Sequence, residues 1–169
     1  MRRHLWVLLA LAACAPDAPP AKVEAPDSVE IVAAANVPEG VAAATTAALP
    51  GFRIVAAERK EREGRVYYDV EGVRADGAEA ELDMLQTAEG WRVVEIQRDV
   101  AWADAPSAVR DLVATSSGGF LPVRVIESMQ TEDGAVIYEL FAEERPEAPS
   151  MEVRVVNGRA AIMTEANRH

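Results

Sequence analysis

Catalysis needs particular side chains within reach of one another, and this 169-residue chain supplies few of them. Its two histidines are His4 and His169, and its one cysteine is Cys14. His169 closes the chain, so a Ser–His or Cys–His nucleophile has no suitable base. Zinc needs Cys, His or carboxylate ligands at matching spacings, and no His or Cys cluster exists. Ser116-Ser117-Gly118-Gly119 lacks the lysine of a phosphate-cradling loop. Carboxylates are the abundant reactive type: 28 Asp and Glu against 17 Lys and Arg, for a net charge of −11. A glycosidase-like acid pair is compatible with that composition. Most of the acids, however, alternate with apolar residues and read as solvated strand faces. Glu79, Glu81 and Asp83 stand about 7 Å apart along one strand with no EF-hand-like loop around them, a poor calcium cage. The acidic balance also argues against nucleic acid, which needs a basic face. No catalytic residue, cofactor or metal ligand set is expected, and the expectation is a protein that is not an enzyme.

Cys14 has a different chemistry. Met1-Arg2-Arg3-His4 is a basic start, and Leu5 to Ala13 is an apolar run of nine residues. That is too short to span a bilayer, which takes roughly 20 residues, and has the shape of a secretory signal. The run ends Leu11-Ala12-Ala13-Cys14, which resembles the bacterial lipobox: an aliphatic residue, two small ones, then the cysteine that carries the lipid. That resemblance implies cleavage after residue 13 and lipidation at Cys14. Two or three acyl chains, at about 0.8 kcal/mol per buried CH₂, anchor firmly. Ala15 follows where an Asp would resemble an inner-membrane retention signal, which favours the outer membrane. Residues 14–30 hold four of the ten prolines and read as an extended tether.

Beyond the tether the chain repeats itself. Asn36-Val37-Pro38-Glu39-Gly40-Val41 and Asp104-Ala105-Pro106-Ser107-Ala108-Val109 lie 68 residues apart. Each reads as a helix start, with Asn or Asp as N-cap and proline in the first turn. The helices should run to about residues 48 and 116. Gly-Phe follows both, at 51–52 and 119–120. The period then becomes two. Glu63-Gly64, Asp76-Gly77 and Glu89-Gly90 punctuate the first half; Asp133-Gly134, a Pro-containing loop at 145–149 and Asn157-Gly158 punctuate the second. These imply strands near 53–62, 65–74, 79–87 and 91–98, then 122–131, 135–143, 150–156 and 159–164. The expected fold class is α+β: two tandem repeats, each one helix packed on a four-stranded antiparallel sheet. The repeats would occupy 31–100 and 101–165.

Alternation assigns the faces. Val66, Tyr68 and Val70, with Ala80, Leu82 and Met84, should meet the first helix at Val41, Ala44 and Ala48. Val136, Tyr138 and Leu140, with Met151, Val153 and Val155, should meet the second at Val109, Leu112 and Val113. Tyr67, Ile137 and Phe141 then point away from the helices. Large apolar residues on a solvated face mark an interaction surface, so these three are the candidate binding residues. Trp102 is placed between the repeats.

Pro38 and Val41, Leu49-Pro50-Gly51, Gly64, Val66-Tyr67-Tyr68-Asp69-Val70, Asp76-Gly77 and Gly90 together resemble the tandem PepSY-like domains of secreted bacterial proteins. Residues 104–109 resemble the start of a second unit, degenerate because Gly118-Gly119 replaces Pro-Gly. The related architecture of β-lactamase inhibitory protein presents sheets as a concave surface to a protein partner. The resemblance implies a lipid-anchored cell-envelope binding or inhibitory module. Its expected partners are the membrane, through the anchor, and an envelope protein or peptide. A structural lipoprotein without a soluble ligand is the alternative.

Overall fold

Two turns, Glu63-Gly64 and Asn157-Gly158, reverse the chain by adopting a backbone that few residues accept. The computed structural model describes residues 28–116 and 119–163. In it Glu63 and Gly64 both have positive φ (52° and 72°), as do Asn157 and Gly158 (51° and 75°). That is the type I′ geometry whose twist matches antiparallel strands. The strands are β1 (Ser28–Ala33), β2 (Arg53–Arg62), β3 (Arg65–Val73), β4 (Glu79–Thr87) and β5 (Gly90–Asp99), then β6 (Arg124–Gln130), β7 (Val136–Phe141), β8 (Met151–Val156) and β9 (Arg159–Ile162). Helix α1 (Glu39–Ala48) lies between β1 and β2, and α2 (Ser107–Thr115) between β5 and β6. The signal and Cys14, the chain up to residue 27, and His169 lie outside the described residues.

The expected pair of separate four-stranded sheets does not form. All nine strands join one antiparallel sheet in chain order, β1 to β9. Two pairings account for the difference. β1, which begins within the stretch read as tether, adds to β2 from Ser28↔Glu61 to Ala33↔Ala56. β5 pairs with β6 from Glu95↔Gln130 to Asp99↔Ile126. Without this second pairing the facing edges of β5 and β6 would each leave a row of backbone N–H and C=O groups unpaired. Ion pairs reinforce it: Arg98 with Glu127 at 2.6 Å and Arg124 with Asp99 at 2.8 Å.

The helix starts also differ from expectation. Asn36 and Asp104 are not N-caps. They close short 3₁₀ turns, 34–36 and 102–104, and the N-cap positions belong to Pro38 and Pro106. A residue before proline is pushed out of the helical region, so Val37 (ψ 129°) and Ala105 (ψ 144°) are extended and no helix can start before them.

Both helices lie on one face of the sheet. Val41 of α1 packs with Ala57, Tyr68, Val70, Leu82, Met84 and Ile96. Val109 and Val113 of α2 pack with Val125, Tyr138, Leu140 and Val153. Trp91 meets Tyr68 edge-on at 5.1 Å in the first core, and Trp102 packs against the second core only. Between the cores, on the same face, sits the Arg98–Glu127 pair. Tyr138 donates its phenol hydrogen to Glu127 at 3.0 Å. Burial, with help from Glu127, raises the Tyr138 pKa to about 12, so it stays a donor. The sheet is therefore continuous, while its helix-side core is divided by a polar seam.

Candidate functional site

The face away from the helices carries the unusual chemistry. Cross-strand partners share a face, so the register places side chains in rows. One row runs Glu58, Asp69, Asp83, Glu95 and Gln130 across β2 to β6. The next includes Glu71, Glu81, Gln97, Ser128, Ile137 and Arg154. Four carboxylates thus stand side by side on adjacent strands, where like charges opposite one another repel.

One cation offsets part of this. Lys60 forms ion pairs with Asp69 and with Glu58. Burial alone would lower its pKa, but those two carboxylates outweigh that and raise it. Among the other acids, Glu81, Asp83 and Glu95 bind their protons more tightly than usual. Burial, then the neighbouring charges of Asp69, Glu95 and Glu81, push Asp83 well above the usual carboxylate range. Burial and Asp69 raise Glu81. Glu95, only 2% exposed, is raised to about 7 by burial, against the hydrogen bond from Gln130 that favours its ionised form. Near neutral pH Glu95 is divided between acid and carboxylate and can donate a hydrogen bond as well as accept one. Asp69, Glu81 and Asp83 each bring an oxygen within 4.8 Å of the others, the set here that could hold a hard cation. Its third member comes from β3, a neighbouring strand, in place of Glu79 on the same strand.

Beside the acid rows the face hollows into a groove of about 560 Å³. Its lining includes Arg65 and Tyr67 of β3, Leu85 of β4, Arg92 of β5, Ile137 of β7 and Arg154 of β8. In a flat sheet β3 and β8 would lie about 24 Å apart, so the sheet must coil to bring them to one groove. Arg65 sits over the Tyr67 ring at 5.7 Å. Arg154 pairs with Asp133, whose carboxylate accepts the Ala135 N–H at 2.9 Å. That backbone hydrogen bond, and then Arg154, lower the Asp133 pKa. No family model, curated protein or solved structure matches this chain.

The three candidate binding residues separate. Tyr67 is half-buried and lines the groove, and Ile137 lines it from the opposite wall. Phe141 lies apart, under the Arg124 guanidinium at 5.4 Å. All three do sit on the helix-free face. The expectation that they stand open to water fails for two: Ile137 is 1% and Phe141 5% exposed. The residues that the sequence reading missed are the partners across strands: Leu85, Arg92, Glu95 and Gln130. The two-residue turn at Glu63-Gly64 does contain one clue, since it sets Glu58 opposite Asp69.

Proposed function

We propose that this chain is a lipid-anchored, non-catalytic binding or inhibitory module of the cell envelope. It holds a protein or peptide on the helix-free face of its sheet. The observation that carries this reading is the groove that joins Tyr67 and Ile137, seventy positions apart, beside a row of carboxylates. A concave face with the half-buried Tyr67 ring and the exposed Arg65 and Arg92 at its border offers contacts to a partner. The net charge of −11 favours a partner with basic groups, so association weakens as salt rises. The lipobox-like Cys14 and the following Ala15 support a place at the outer membrane, facing the periplasm. The resemblance of residues 29–164 to tandem PepSY-like units, the second degenerate, supports the same reading. Among the described residues no helix is long and apolar enough to cross a membrane.

A photoreactive amino acid placed at Tyr67 tests this in living cells, with one at Thr46, exposed on α1, as control. A discrete adduct is expected from position 67 and not from 46. Adducts from neither position, or equally from both, would leave a structural lipoprotein without a ligand as the better account.

A further inference from the structure

We infer that Asp69, Glu81 and Asp83 form a calcium site on the helix-free face of the sheet. The inference goes beyond the binding-surface reading and does not depend on it.

Pairing across strands makes the site. Glu79, Glu81 and Asp83 by themselves are spread along β4, but the register sets Asp69 of β3 directly opposite Asp83. One oxygen from each of Asp69, Glu81 and Asp83 then lies within 4.8 Å of the other two. Calcium binds oxygen at about 2.4 Å, so ligands on opposite sides of one ion stand roughly 4.8 Å apart. The three oxygens fit around one such ion as they stand. All three belong to carboxylates, which suit hard cations, whereas softer metals favour the nitrogen of His and the sulfur of Cys. Magnesium demands near-ideal octahedral geometry. Calcium accepts an irregular shell, which suits ligands held at positions dictated by a sheet.

A second observation points to a ligand. Asp83 Oδ1 is closed off from water and has no hydrogen-bond partner among the described residues. The other oxygen, Oδ2, accepts the Gln97 amide at 3.4 Å. A buried acceptor without a partner costs stability, and a cation supplies what this one lacks. Lys60 does not supply it: its ammonium pairs with Glu58 and Asp69, and forms no ion pair with Glu81 or Asp83. The Asp69 side chain is 15% exposed, so a hydrated ion can reach the set and keep water in its shell. Tyr67 and Leu85, which line the groove, each lie two residues from a ligand, Asp69 and Asp83. The ion therefore ties β3 to β4 at the wall of the groove.

The test is calcium titration of the purified, EDTA-treated protein, by calorimetry and by thermal melts at fixed ionic strength. One ion per chain is expected, with a Kd on the order of 10⁻⁴ M, as in extracellular calcium modules. At about 5 mM calcium the melting temperature should then rise by roughly 5–9 °C over a sodium control. Asp83→Asn should weaken calcium binding about tenfold or more. Glu81→Gln should do the same, and carries the test if Asp83→Asn does not fold. Glu147→Gln, an equal change of charge at an exposed loop residue, should bind calcium as the wild type does. No saturable binding, or binding that survives both site variants, overturns the inference. So does an equal loss in Glu147→Gln, which would mark general attraction to an acidic surface. Magnesium binding as tightly as calcium overturns the choice of ion.

Discussion

Replacing Glu95 with glutamine should change how stability depends on pH, and the structure sets the size of the effect. Glu95 lies on β5 between Asp83 of β4 and Gln130 of β6, and is buried. Its pKa rises from 4.5 to about 7, chiefly through burial. The folded chain thus holds this proton more tightly than the unfolded chain does. The resulting stabilisation is fully present below pH 4.5 and is lost as pH rises through about 7. The loss amounts to about 3 kcal/mol for this one group. At roughly 2–4 °C per kcal/mol in a domain of this size, the melting temperature should fall by about 6–12 °C on its account. Glutamine imitates the protonated acid and cannot ionise. Glu95→Gln should therefore match the wild type at the acid end of this window and exceed it at the alkaline end. Thermal and urea melts of both proteins across the window measure the difference directly. Asp83 and Glu81 are raised for related reasons, so some slope should persist in the variant. A gap between the two proteins that stays constant with pH would refute the reasoning, because Glu95 would then titrate alike in both states.

Two further outcomes are expected. A Cβ at Gly72 would stand 2.3 Å from the Arg53 carbonyl oxygen and 2.6 Å from the Phe52 ring, so Gly72→Ala must displace backbone; chemical denaturation should show a loss of about 1–3 kcal/mol. Cys14→Ser should leave an unprocessed precursor without lipid, seen by mass spectrometry and detergent partitioning; a mature mass in the detergent phase would refute lipidation at Cys14.

Much of the local structure was legible because its signals are local. Glycines after acids located the hairpins, and alternation placed Tyr68, Leu82, Tyr138 and Leu140 toward the helices. The joining of strands was not legible. Nothing in the alternation of β5 or β6 states which edge meets which, and the prolines before Ser28 drew β1 into the tether. Proline also misled at the helix starts, where its effect on Val37 and Ala105 outweighed the capping potential of Asn36 and Asp104. The site was harder because it is made across strands. The turn at Gly64 fixes Asp69 opposite Glu58, but a bulge between Asp83 and Met84 shifts the register that brings Glu95 alongside. The groove that joins Tyr67 to Ile137 depends on sheet coiling, which arises from all the strands together and has no signature at either residue.

The β5–β6 pairing has a consequence for the molecule among its neighbours. Two separate four-stranded sheets would offer four rims where a foreign strand could add. One continuous sheet offers two, at β1 and β9. β9 is only four residues long, a poor template. β1 is the longer rim and presents Val29 and Ile31 at 51% and 71% exposure. It is also the strand that directly follows the tether. Should Cys14 carry the lipid, the rim most open to strand exchange is the one held nearest the membrane, where approach by a second copy is confined to two dimensions.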